Sequence, residues 1–241
     1  MRGHFLLPRK CQPRKSKPSL CTCTIRVLVG CTVNPAFPDQ SRRYTHYTVV
    51  LLGCLDAEDN LYVVDEHAER LWIPQRHVEA VKAMLQRHRL LVGNPSSQPL
   101  GEAMKMRMRF DPSFSWRLAR FVAGGDIFAR ESNGLSVASQ FSSLGLSLRP
   151  ANANGVQGWA EILRRLGDPA AGIPPSLFIH QRCTRLLDTL PLLQHDPDQP
   201  ADVLKSNPND EGLGGDDAPD TLRYLVATPA RRIHQVKLRG F

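Results

Sequence analysis

The chain has no apolar run long enough to cross a membrane as a helix, and its first twenty residues hold no stretch of signal-peptide length. A cytoplasmic protein without a membrane role is therefore expected. Zinc-type spacing is missing too. Of the six cysteines, Cys21 and Cys23 form a C-x-C pair, but no second C-x-x-C or H-x-x-x-H completes a set. Cys31, Cys54 and Cys183 lie in apolar runs and read as small, reduced core residues. His67, His77, His88, His180 and His195 show no ligand spacing. Aromatics are scarce at 7%, and Trp72, Trp116 and Trp159 stand alone, which suits core or interface positions better than base-stacking platforms.

Acid is absent from both ends. Residues 1–20 hold Arg2, Arg9, Lys10, Arg14, Lys15 and Lys17, and residues 231–241 hold Arg231, Arg232, Lys237 and Arg239, with no carboxylate in either stretch. The net charge of +8 thus sits on the tails; between them 21 basic residues face 23 acidic ones. A near-neutral body with two basic arms fits a polyanion partner, and equally fits solubilising terminal sequence.

Residues 1–23 are rich in Pro, Lys and Arg and read as a disordered tail, and residues 229–241 as a basic C-terminal tail; residues 24–228 form one domain. Ile25–Val33, Tyr47–Leu55 and Leu61–Val64 read as strands, the last two joined by the turn-like residues 56–60. Gln75–His88 has helical spacing, Gly93–Gly101 is a loop, and the basic, Met-rich Glu102–Arg120 reads as an exposed helix. Then the pattern alternates. Strands are expected at Arg120–Ala123, Leu146–Arg149 and Ser176–His180, and helices at Ser136–Leu144, Val156–Leu166, Cys183–Leu193 and Asp217–Val226. An antiparallel meander followed by β-α units implies an α/β fold with a mixed sheet flanked by helices.

The densest chemistry lies at Gly214-Gly-Asp216-Asp217-Ala-Pro-Asp220. Carboxylates crowded at a helix start repel one another unless a cation sits among them, and a divalent metal is one candidate. An acidic helix N-terminus is the plainer reading.

Several pieces together resemble the nuclease domain of phage terminase large subunits. They are Ser136-Val-Ala-Ser-Gln-Phe141, Gly145-Leu-Ser-Leu-Arg-Pro-Ala-Asn152, Val156-Gln-Gly-Trp159, Leu177-Phe-Ile179, Leu190-Pro-Leu-Leu-Gln-His-Asp-Pro197 and Asp216-Asp-Ala-Pro-Asp-Thr-Leu-Arg-Tyr224, with Tyr62-Val-Val-Asp-Glu66 similar as well. The likeness covers roughly residues 25–228. It implies an RNase H-like fold and a metal-dependent endonuclease that cuts double-stranded DNA during viral genome packaging. The implied cofactors are two Mg2+ or Mn2+ ions, about 4 Å apart, activating a water and stabilising the leaving oxygen. The implied ligands are Asp126, after the strand that precedes the Ser136 helix, and Asp216, with Asp217 or Asp220 in support. Asp220 is also placed to pair with Arg223. Where the family has an aspartate on its first strand, this chain has Thr32, a neutral and weak ligand that would leave one metal site weakened. Asp65 and Glu66 are candidate substitutes that would otherwise face solvent, and Glu131 ranks below Asp126.

The resemblance further implies double-stranded DNA as partner, and beside it a separate terminase ATPase, a small terminase subunit or a portal, in a bacterial host cell. The ATPase motif G-x-x-x-x-G-K-[ST] is absent from these residues. The expectation is a separate nuclease subunit, a piece of a split gene, or a prophage remnant that binds DNA or a packaging partner without cutting; Thr32 leans towards the last.

Overall fold

The computed structural model describes residues 26–32, 46–56, 58–88, 117–130, 134–152 and 154–227. Both basic tails, Cys11, Cys21, Cys23, the loop read at Gly93–Gly101, Trp116 and Glu131 lie outside them.

The first three strands are β1 (Arg26–Thr32), β2 (Thr48–Leu55) and β3 (Leu61–Glu69). Helix α1 (Pro74–Arg87) follows, then β4 (Arg117–Ala123) and a 3-10 turn at Gly125–Phe128. After these come α2 (Val137–Ser143), β5 (Arg149–Pro150), α3 (Gly155–Leu166), β6 (Leu177–Ile179), α4 (Thr184–Thr189) and α5 (Asp217–Ala227). The sheet order is β5-β4-β1-β2-β3-β6. β2 is antiparallel to β1 and β3, whereas β4 runs parallel to β1, β5 to β4 and β6 to β3. A meander whose first strand is then flanked by β4 and β5 is the RNase H-like arrangement.

β2 explains why the sheet is covered on both faces. All eight of its residues are buried, and they alternate between two cores. Val50, Leu52 and Cys54 join Val81, Met84 and Leu85 of α1 and Phe141 of α2. Val49, Leu51 and Leu55 join Trp159 and Ile162 of α3, Leu186 of α4, and Leu222 and Leu225 of α5. Gly53 lets α5 lie close, since an added Cβ there would be 3.2 Å from Leu225.

The elements depart from expectation in four places. β3 runs on to Glu69, because β2 pairs with it along its whole length, with a bulge between Leu52 and Gly53 in the register. β4 starts at Arg117, so the last residues of the helix read at Glu102–Arg120 are strand; the rest of that segment lies outside the described residues. The strand read at Leu146–Arg149 shrinks to Arg149–Pro150, with Leu146 and Leu148 serving instead as core. The helix read to Leu193 stops at Thr189 and tightens into a 3-10 turn at Leu190–Leu192, where Pro191 has no N–H to continue the ladder.

Candidate functional site

Ligand sites in open α/β sheets lie beyond the carboxyl ends of the strands, where the strand order reverses. Here that point falls between β1 and β4: the chain builds β2 and β3 on one side of β1, then crosses to the other. Cys31 pairs with Ala123, so β1 and β4 end on one rim. Thr32 ends β1, and Asp126 sits in the 3-10 turn just past β4. β2, running the other way, starts at the same rim. Asp217 joins it there, because the Tyr47 amide donates to Asp217 Oδ2 at 2.9 Å. The topology therefore gathers residues 32, 126 and 216–220 from three distant segments.

Asp126 turns towards α5. Gly124 has an ordinary extended backbone, but a Cβ on it would lie 2.7 Å from Asp126 Oδ1 and 3.0 Å from the Tyr224 hydroxyl. Both groups crowd one spot, and a side chain at Gly124 would have to push one of them aside. Tyr224 reaches it from two turns down α5, as helical side chains lean towards the N-terminus. Burial, then the Asp220 and Asp126 charges, push the Tyr224 phenol above its usual range.

Of the three carboxylates at the start of α5, Asp216 and Asp220 already have cations. Lys205 Nζ lies 3.0 Å from Asp216 Oδ2 and 2.7 Å from Asp220 Oδ2. Arg223 Nε donates to Asp220 Oδ1 at 3.0 Å. Burial pulls the Lys205 ammonium down, but Asp220 and Asp216 outweigh it and hold the group above the ordinary lysine value. The loop before α5 fixes this lysine. Leu204 N–H donates to the Gln194 carbonyl at 2.8 Å, Asp216 N–H to the Ser206 carbonyl at 3.3 Å, and Trp159 Nε1 to Asp202 Oδ1 at 2.7 Å.

Gly214 and Gly215 have φ of 73° and 90°, the left-handed region in which a side chain would be strained. Arg185 pins this turn: its guanidinium donates to the Gly212 and Gly214 carbonyls and lies 3.8 Å from the centre of the Tyr47 ring.

Asp217 has different work. It is 5% exposed and receives the Tyr47 amide on Oδ2, with His46 Nδ1 3.2 Å from Oδ1. Burial, opposed by these two partners, raises its carboxyl above the usual range. It ties α5 to the start of β2. Asp217→Ala is expected to cost ~1–3 kcal/mol by leaving the Tyr47 amide without its acceptor, a loss that chemical denaturation of the purified variant measures.

Asp65 and Glu66 do not face solvent. Asp65 is 3% exposed and lies on the α1 side of the sheet, with His88 Nε2 at 2.8 Å and Arg87 Nε at 3.0 Å. Glu66 lies on the opposite side and accepts the Arg185 and Leu186 amides at 2.8 and 2.9 Å, capping α4. Neither is directed at the β1–β4 rim. Cys54 and Cys183 are buried free thiols, and burial pushes both up to about 12. Trp159, a lone aromatic in the sequence expected at a core or interface position, is core.

The donor set does not fit a two-metal centre in this arrangement. Among the described residues no three His, Cys, Asp or Glu side chains are grouped to hold a metal ion. Thr32 contributes no carboxylate. Lys205 lies on Asp216 and Asp220, and Arg223 on Asp220, so these two carboxylates already have cationic partners. Lys205, Arg185 and Tyr224 are the site residues that the sequence left unmarked. Each acts across a distance in the chain, so spacing alone offered no signal.

No family model matches the chain, and no curated protein does. Among solved structures, the chain is similar to the nuclease domain of g2p, the large terminase of bacteriophage SPP1, solved with bound Mn. The match has 11% identity, covers 83% of this chain and 84% of that one, and has a TM-score of 0.46. No helix among the described residues is long and apolar enough to cross a membrane.

Proposed function

We propose that this chain is an RNase H-like domain of the terminase-nuclease type that engages double-stranded DNA along the β1–β4 rim and, in the arrangement seen, holds that rim closed to cutting. The observation that carries the reading is the Lys205 ammonium lodged between Asp216 and Asp220, where the strand order reverses. The resemblance of residues 136–224 supports the nuclease lineage. Thr32 supports the loss of rapid cleavage, since a hydroxyl does not bridge two cations as a carboxylate does. The acid-free tails would supply a sequence-independent grip on phosphates.

The test uses the full chain, a short linear duplex and a supercoiled plasmid with Mn2+. Duplex binding is expected to weaken roughly a hundredfold or more between 50 and 200 mM salt, as several phosphate contacts require. Plasmid nicking is expected to stay near that of a protein-free control. Rapid nicking abolished by Asp126→Ala would replace this reading with that of a working endonuclease. Failure to bind duplex at low salt would remove DNA as the partner.

A further inference from the structure

We propose that the turn between β3 and α1 is a DNA wedge: Leu71, with Ile73 beside it, enters a base step of the duplex on the rim and kinks it. The inference rests on the duplex-binding reading and adds how that duplex is gripped and bent. The partner it fits is a double helix with a flexible pyrimidine–purine step.

Placement comes first. Thr32 pairs with Val49, and Thr48 with Glu69, so residues 70–73 leave the sheet on the same rim as Thr32, two strand spacings or ~10 Å along it. The turn is also joined to the loop ahead of α5, because Arg70 donates to the Asn209 and Asp210 carbonyls at 3.3 and 3.2 Å. Exposure is the second observation. Leu71 is 67% and Ile73 55% exposed, on either side of Trp72, which packs against His67 and His77. Third, both residues break a local rule with no gain to the fold. Leu71 has a φ of 60°, in the left-handed region where glycine or asparagine sits more easily than leucine. Ile73 is the N-cap of α1, a place for Ser, Thr, Asp or Asn, and its side chain caps nothing. An apolar group held outwards on a strained backbone gains its contacts from something outside the chain. Fourth, the surroundings suit phosphates. No acid occurs from Arg70 to Val78. Arg70 lies 5.3 Å from the centre of the Tyr47 ring and Arg76 4.2 Å from that of Trp72. These rings and the two carbonyls are neutral partners, so both guanidinium groups keep their charge for a polyanion. Apolar tips flanked by cations are the means by which proteins open a base step from the minor groove.

Energy transfer between dyes on the two ends of a duplex of about 20 base pairs, with TA steps at its centre, tests the wedge against the full chain at low salt. Anisotropy of the same duplex reads binding separately. The saturating unaltered chain is expected to kink the duplex by roughly 20° or more and so raise the transfer. Leu71→Gly and Leu71→Asn both accept the left-handed backbone, so both should fold with an unlowered melting temperature. Each should leave the duplex straight, yet bind it within about tenfold of the unaltered chain, since the phosphate contacts remain. Ile73→Ser should raise the melting temperature by supplying the missing cap, and should reduce the kink. A kink that survives Leu71→Gly, or a bound duplex that stays straight with the unaltered chain, would overturn the wedge and leave duplex binding intact. No binding by anisotropy would remove both. Leu71 substitutions that turn a dimer into a monomer in sedimentation would assign the turn to a protein contact and overturn the wedge as well.

Discussion

Gly158→Val is expected to destabilise the domain by about 3 kcal/mol and to dislodge the cation pair on α5. α3 and α5 cross at this residue. A Cβ on Gly158 would lie 2.4 Å from Arg223 Cγ and 3.4 Å from the Arg223 carbonyl oxygen, so no small adjustment makes room. Moving the stem of Arg223 would also move its guanidinium off Asp220 and off the rings of Trp159 and Tyr224. Overpacking of this kind costs about 1–3 kcal/mol, and the broken ion pair adds to it. For a domain of this size the melting temperature should fall by roughly 10 °C, readable by circular dichroism. Gly125 provides the control. An added Cβ there meets nothing within 4 Å, and Gly125→Ala should change stability by no more than ~0.5 kcal/mol. A Gly158→Val protein as stable as the control would mean that the helices do not cross this closely.

The second large effect is acid lability. His67 Nε2 and His77 Nδ1 lie 2.9 Å apart beside Trp72, and burial lowers both rings to about 4. The neighbouring His67 and Arg76 charges lower His77 further. The folded state therefore favours neutral rings. Their contribution is complete above the unfolded value of 6.5 and is lost as pH falls towards 4. By pH 5 each ring costs about 2 kcal/mol. Glu66 works in the other direction. Burial, opposed by the Arg185 and Leu186 amides, raises it to about 7, so the fold gains about 2 kcal/mol from it between pH 7 and 5. The net expectation is a loss of about 2 kcal/mol over that interval. His77→Leu should abolish most of it, and Glu66→Gln should make it steeper. Urea denaturation at the two pH values measures both, and parallel pH profiles for the three proteins would refute the assignment.

Much of the frame was legible in the residues. Apolar β-branched runs marked β1 and β2, helical spacing marked α1, and the glycines before Asp216 marked the start of α5, because each signal lies within or beside one element. β3 was legible only to Val64. Beyond it a bulge shifts the alternation, so Asp65 faces α1 and Glu66 faces α4; which polar residue is buried depends on the register with β2 rather than on the local pattern.

The sequence by itself determined the meander, the β-α alternation, and which carboxylates would stand near strand ends and a helix start. It also determined that Thr32 brings no charge, a matter of composition needing no coordinates. Tertiary structure alone decided what those carboxylates touch. Asp220 and Lys205 are fifteen residues apart, His46 and Asp217 are 171 apart, and neither distance has a period to betray it. Ionic contacts depend on where the loop ahead of α5 folds back, and that is set by Arg185, Trp159 and two glycines in left-handed conformation. Local periodicity follows from backbone geometry and is written along the chain. Charge pairing across the rim follows from closure of the whole fold and is not.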